Sequence, residues 1–184
     1  MPVQTPICDF GKKALPFQLK STENKIISLD DIKGENGTLI MFICNHCPYV
    51  KAVTKEIVED CNELKKIGIN SVAICSNDFV NYPDDSFENM IKFAKNNDFS
   101  FPYLVDETQE VAKKYGAVCT PDFFGYNKNL ELQYRGRLRE LKKFVPVNDG
   151  ESDLLKAMKQ IAETNNGPRE QIPSAGCGIK WKFD

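Results

Sequence analysis

Leu39-Ile40-Met41-Phe42-Ile43-Cys44-Asn45-His46-Cys47-Pro48 passes from an unbroken apolar run to two cysteines flanking an asparagine and a histidine. Apolar residues at every position, with no polar alternation, mark a strand buried on both faces. Beyond the cysteines, Val50, Val53, Ile57, Cys61 and Leu64 recur at helical spacing, and Gly68 ends that helix. The cysteine pair therefore lies at a strand-to-helix junction. There the unpaired N–H groups of the first helical turn and the positive end of its dipole favour a thiolate. Two thiols at this spacing can close a disulfide, and together they form a redox device. The expected arrangement has Cys44 opening the helix with an exposed sulfur, attacking a substrate disulfide, and Cys47, one turn on and more buried, resolving the mixed disulfide. A cationic or hydrogen-bonding His46 would stabilise the reduced form, making the pair more oxidising by about 30 mV for each 1.4 kcal/mol. The plain alternative for His46 is a solvent-exposed polar residue in a turn.

Working outward, Phe17-Gln18-Leu19 and Lys25 to Leu29 read as a hairpin or two short strands in front of the core. Ile69 to Cys75 is a second buried strand, completing a β-α-β unit with an expected right-handed crossover. Asp78 to Asp85 reads as a loop, Ser86 to Asn96 as a helix with the stripe Phe87, Met90, Ile91 and Ala94, Phe101 to Val105 as a strand, and Thr108 to Tyr115 as a short helix. Asp122 to Tyr126 and Leu130 to Tyr134 flank the turn signal Asn127-Lys128-Asn129. The last helix is Ser152 to Thr164, with Leu154, Leu155, Met158 and Ile161 on one side. Residues 165–184 carry Gly and Pro at intervals and read as an irregular tail, which holds Cys177 and the one tryptophan, Trp181.

A chain of 184 residues with 41% hydrophobic composition supports one substantial core, and a single domain over 1–184 is expected. A formal net charge of -2 gives no global field toward nucleic acid or an anionic membrane, so neither is an expected partner. The N-terminal residues lack the basic start and apolar stretch of a secretory signal, and no segment is long and apolar enough to span a bilayer, so a cytoplasmic location is expected. Seven cysteines are an odd number, and in a reducing compartment most would be free, any disulfide being catalytic or transient.

A strand ending in Cys-X-X-Cys, a helix, a second strand, a helical insertion, Thr120-Pro121, a hairpin and a closing helix resemble the thioredoxin fold. The hairpin preface, the insertion from about Asp84 to Tyr115 and Phe101 to Asp106 look like its peroxiredoxin and alkyl-hydroperoxide-reductase branch. Cys44 to Lys51, Cys119 to Phe124, Tyr134-Arg135-Gly136-Arg137 and Pro173 to Trp181 resemble a group of peroxiredoxin-like thioredoxin-family proteins. The resemblance implies an α/β thioredoxin fold with an N-terminal β-hairpin and a peroxiredoxin-like helical insertion, in a single three-layer domain. It implies a thiol-disulfide oxidoreductase acting through Cys44, His46 and Cys47, or else an antioxidant thiol peroxidase that reduces hydroperoxides through a cysteine sulfenic acid. The substrate would be a disulfide-containing protein or a small hydroperoxide, the electron donor a thiol such as thioredoxin or glutathione, and no bound cofactor is called for. One departure is plain. Peroxiredoxins place a Pro and a Thr or Ser before the peroxidatic cysteine, and if Cys47 is that cysteine, Ile40 and Cys44 stand in those places.

The same resemblance makes Thr120-Pro121 a cis-proline turn facing the pair, with the Thr120 backbone open to a substrate strand. It also places Cys119 near the site, as a third redox thiol or a small buried residue. Cys177, between Gly176 and Gly178, would by similarity resolve a sulfenic acid on Cys44 or Cys47; the alternative is a docked tail in which Trp181 packs on the core. Arg135, Arg137 and Arg139 recur at period two and share a face if the strand runs that far. Arg135 or Arg137 would be the cation a peroxidase uses to lower the thiolate pKa and polarise the peroxide, against the alternative of a solvated strand edge. A structural zinc half-site completed by Cys119 or Cys177 is the remaining reading of the pair.

Overall fold

The structure, a computed structural model, describes residues 2–183. In chain order its elements are β1 (Val3–Gln4), β2 (Gln18–Ser21), β3 (Ile26–Ser28), α1 (Leu29–Ile32), β4 (Gly37–Phe42), α2 (Pro48–Lys51), α3 (Thr54–Lys66), β5 (Ile69–Cys75) and α4 (Phe87–Asn96). They continue with β6 (Tyr103–Val105), α5 (Glu110–Tyr115), β7 (Cys119–Thr120), β8 (Asp122–Asn127), β9 (Leu132–Tyr134), β10 (Leu141–Lys142), β11 (Val145–Pro146), α6 (Asp153–Thr164) and β12 (Ala175–Gly178). Seven strands form the central sheet in the order β3-β2-β6-β5-β4-β8-β9. The pairs β4/β5 and β5/β6 are parallel, and β4/β8 is antiparallel.

The apolar run sits at the middle of this sheet because it has hydrophobic partners on both sides. Leu39, Met41 and Ile43 face a core shared with Ile57 and Leu64 of α3, Met90 of α4 and Met158 of α6. Ile40 and Phe42 face a second core with Leu29 and Ile32 of α1 and Val111 and Tyr115 of α5. Two helical layers around one sheet make the expected three-layer domain of thioredoxin type.

Several expectations need correction. The helix after the pair is broken: α2 stops at Lys51 and α3 starts at Thr54, while the Thr54 hydroxyl donates to the Val50 carbonyl at 2.7 Å. Such a side-chain bond competes for a backbone acceptor, and the apolar spacing runs across the break without revealing it. The tail is irregular only in part, since β12 lies between β1 and β7 in a separate three-stranded sheet. Trp181 is 37% exposed rather than packed on the core; Ile179, 6% exposed, is the tail residue that inserts. Strand β9 ends at Tyr134, so the three arginines share no strand face.

Candidate active site

Cys44 follows β4 and Cys47 is the N-cap of α2, with Pro48 in the first helical position. Pro48 suits that place because the backbone donor it lacks would have no intrahelical partner there. This reverses the expected order: Cys47, not Cys44, stands at the helix start. Neither sulfur is open, since Cys44 is 1% and Cys47 0% exposed. The Thr120–Pro121 bond is cis, and Thr120 serves both cysteines. Its hydroxyl lies 3.4 Å from the Cys44 sulfur, and its carbonyl oxygen accepts from the Cys47 thiol at 3.4 Å.

The two thiols differ electrostatically. As a thiolate, Cys47 accepts from the Cys44 thiol, from the thiol and backbone N–H of Cys177 and from the Thr120 hydroxyl; these outweigh its burial and pull it down to about 4. The neutral form offsets them with a single bond to the Thr120 carbonyl. Cys44 is pushed far up, because its proton is held in the bond to Cys47, because it is buried and because the Asp85 carboxylate is near. These opposite shifts make Cys47 the more acidic thiol of the pair.

Asp85 is the site residue that sequence reading missed, placed at the end of a loop. It is 1% exposed and accepts from the Asn45 backbone N–H at 2.8 Å and the Asn77 side chain at 2.9 Å. His46 Nδ1 lies 2.7 Å from its Oδ2, so His46 is not a free turn residue, and a ring nitrogen stays within 4.8 Å of the Cys44 sulfur. Asn45 is held further by Tyr103, whose hydroxyl donates to Oδ1 at 2.8 Å. The Asn-His dipeptide is thus pinned by acceptors and donors from elsewhere in the fold, which fixes the loop carrying both cysteines. One potential metal-donor group occurs among the described residues, Cys44, His46 and Asp85, with ligand atoms within 4.8 Å of one another. It contains neither Cys119 nor Cys177, so the proposed completion of a zinc half-site by those residues does not form.

Cys119 is fully buried, its thiol donates to the Pro121 carbonyl at 3.6 Å, and burial with the nearby Asp122 charge pushes its pKa up. Cys177 is half-buried on β12 and faces Thr120 across the strand pair. The arginines are committed to acids. Arg135 is a buried partner of Asp122 at 2.9 Å, with its guanidinium 4.3 Å from the Phe124 ring; Arg137 pairs with Asp153 at 2.7 Å; Arg139 pairs with Glu56. None of them contacts a sulfur, which corrects both the peroxidase role and the solvated-edge reading. Arg137 does line a cleft of about 250 Å³ beside the cis-proline, together with Tyr49, Phe123 and Ser174.

Known proteins share this fold. The chain is 42% identical to an uncharacterized conserved protein from Geobacillus kaustophilus, with a TM-score of 0.90 and coverage of 100% of this chain and 98% of that one. It is 27% identical over 146 residues to the thiol-disulfide oxidoreductase ResA of Bacillus thuringiensis subsp. konkukian, covering 75% of this chain and 80% of ResA. The thioredoxin domain of a thiol-disulfide oxidoreductase from Bacteroides vulgatus shares the fold at a TM-score of 0.58 and 16% identity, over 68% of this chain and 86% of that one. The AhpC/TSA family model matches residues 10–140, from before the hairpin to beyond β9. With a redoxin fold and a thiol pair meeting at a cis-proline, the chain belongs to the AhpC/TSA family, whose members are thiol oxidoreductases and peroxidases.

Proposed function

We propose that the protein is a thiol-disulfide oxidoreductase cycling Cys44 and Cys47 between dithiol and disulfide, with Cys47 as the attacking sulfur. The observation that carries this is the geometry: Cys47 caps α2 ahead of Pro48 and both thiols meet Thr120 at the cis-proline, where the surroundings pull Cys47 down and push Cys44 up. The Cys47 thiolate attacks one sulfur of a substrate disulfide, forming a mixed disulfide and expelling the other sulfur as thiolate. Cys44 then gives up its proton and attacks Cys47 Sγ, closing the Cys44–Cys47 bond and releasing the second substrate thiol. Two electrons pass from the pair to the substrate, and a thiol donor such as thioredoxin or glutathione returns them. The substrate is a disulfide-bearing protein, met in a reducing cytoplasm.

A Cys47→Ser variant is expected to lose disulfide reduction entirely, and a double variant Cys44→Ser with Cys177→Ser to accumulate the mixed disulfide on Cys47, read by mass spectrometry. Full activity in Cys47→Ser would overturn the assignment.

A second reading, reduction of hydroperoxides, is favoured by the family and by the same Cys47 thiolate. The thiolate would attack the peroxide, releasing the alcohol or water and leaving a sulfenic acid, and Cys44 would displace water to close the same disulfide. Against it stands the lack of any Arg135, Arg137 or Arg139 contact with the sulfurs. Oxidation of the reduced protein by hydrogen peroxide separates the two: a rate like that of an ordinary free thiol leaves disulfide exchange as the function.

A further inference from the structure

The proposed pair is sealed at rest. Strand β12 lies antiparallel to β7 with Cys177 opposite Thr120, the residue that serves both buried sulfurs. The approach is close enough that a Cβ on Gly176 would lie 1.9 Å from the Thr120 carbonyl oxygen, so only glycine lets the tail settle there. It packs Cys177 against the core that holds Cys44 and Cys47, near enough to favour the Cys47 thiolate. Cys177 is half-buried, whereas Cys44 and Cys47 are closed off. On either side of it stand Gly176 and Gly178, which present no side chain to obstruct an incoming molecule. A half-buried third thiol thus stands beside two closed ones, on the strand that pairs with Thr120.

We propose that Cys177 is a third redox thiol that carries the disulfide of the Cys44–Cys47 pair out to a small-thiol reductant. The inference rests on the dithiol cycle proposed above. In the exchange, the Cys177 thiolate attacks Cys47 Sγ of the Cys44–Cys47 disulfide. The Cys47–Cys177 bond forms, the Cys44–Cys47 bond breaks, and Cys44 leaves as a thiolate that takes up the proton Cys177 released. No electrons leave the protein in this step. A small thiol of the glutathione class then attacks Cys177 Sγ and expels Cys47 as the thiolate; a second small thiol attacks the mixed disulfide, freeing Cys177 and leaving as the oxidised dimer. Two external thiols have supplied the two electrons.

The electrostatics bear on when Cys177 can react, while the raised Cys44 thiol makes its departure the slow part of the exchange. In the reduced protein, burial and the Cys47 thiolate hold Cys177 up at about 11, so it stays a protonated donor. Once Cys47 is tied up in a disulfide its charge is gone, and with it the repulsion against a Cys177 thiolate; the push from burial remains, so the gain is one of degree.

The test uses the full chain, oxidised with diamide and reduced with glutathione, with bonds mapped by peptide mass spectrometry. Oxidised Cys44→Ser is expected to hold a Cys47–Cys177 disulfide. In Cys177→Ser the Cys44–Cys47 bond is expected to form, and its reduction by glutathione to slow by roughly tenfold or more. Gly176→Ala keeps every thiol but lifts β12 from Thr120, and is expected to show the same slowing. Reduction of Cys177→Ser at the wild-type rate overturns the relay while leaving the dithiol cycle intact. Absence of a Cys44–Cys47 bond in the oxidised wild-type protein overturns the cycle itself.

Discussion

At the scale of single residues, the chemistry turns on which sulfur is charged. The spacing of Cys44 and Cys47 and the presence of Thr120-Pro121 were readable from the chain, because each is a local pattern with one common use in this fold. The assignment of the nucleophile was not. It depends on where the first helical turn begins, and on Cys177 arriving from the other end of the sequence to donate to Cys47. Asp85 was invisible for the same reason, since an acidic residue in a loop looks solvated until Asn45, Asn77 and His46 are seen around it. The expected consequence is a thiolate that persists in mildly acidic solution. Reduced protein should show about one equivalent of thiolate absorbance in the ultraviolet at pH 6, lost on acidification toward pH 4 and missing in Cys47→Ala. The other thiols with a resolved shift are all raised and stay protonated there. A reduced wild-type spectrum at pH 6 matching that of Cys47→Ala would refute the assignment.

Among the elements, strands and helices with a strong period were legible and their polar fasteners were not. The arginine series from 135 to 139 has a strand's period, yet β9 stops at Tyr134, and each arginine then follows its own acid to a different element. The joint between α3 and α6 is another such fastener. Ser152 caps α6 by accepting from the Leu155 backbone N–H and donates its hydroxyl to Asp60 of α3 at 2.6 Å. Asp60 is buried in this joint, with Glu56, Glu59 and Arg139 nearby. Burial pushes its carboxyl from the ordinary 3.8 up to about 6, with Glu56 and Glu59 adding to the shift and Ser152 and Arg139 opposing it. A carboxyl whose folded pKa is raised favours the fold at low pH, and the advantage is lost as pH rises through the window from about 4 to 6. Asp60→Asn keeps the size and an acceptor for Ser152 but carries no charge. It should match the wild-type protein near pH 4 and exceed it by about 1 to 2 kcal/mol at pH 7, the shift being discounted for the solvent that still reaches the group. Denaturant unfolding at the two pH values measures this, and an equal difference at both would remove Asp60 as its source.

For the whole molecule, the distribution of burial separates a permanent scaffold from an opening part. Strands β4, β5 and β8 lie inside the sheet with a helical layer on each face, and Leu39 to Phe42 are no more than 1% exposed. Strand β12 is held differently. It has two-residue ladders to β1 and β7, reinforced by the Thr5 N–H to the Ser174 carbonyl at 2.9 Å and the Ser174 N–H to the Thr5 hydroxyl at 3.1 Å. The chain's pattern gave no sign of this small sheet, because Ala175-Gly176-Cys177-Gly178 has neither β-branched residues nor alternation; contacts distant in sequence, not local preference, make it a strand. Ladders this short, with Cys177 and the adjoining Ile179 as the packed side chains, are expected to open at a free energy below that of global unfolding. Opening of β12 uncovers Cys47 for a substrate disulfide, and closing returns Cys177 to it, so the two halves of the cycle would take place in different positions of one strand. Native-state hydrogen exchange should therefore show the amides of β1 and β12 exchanging together, orders of magnitude faster than those of β4, and with little dependence on low denaturant. If the Cys177 amide exchanges only with the core, the tail does not open short of unfolding, and the buried pair would have to meet its substrates by another route.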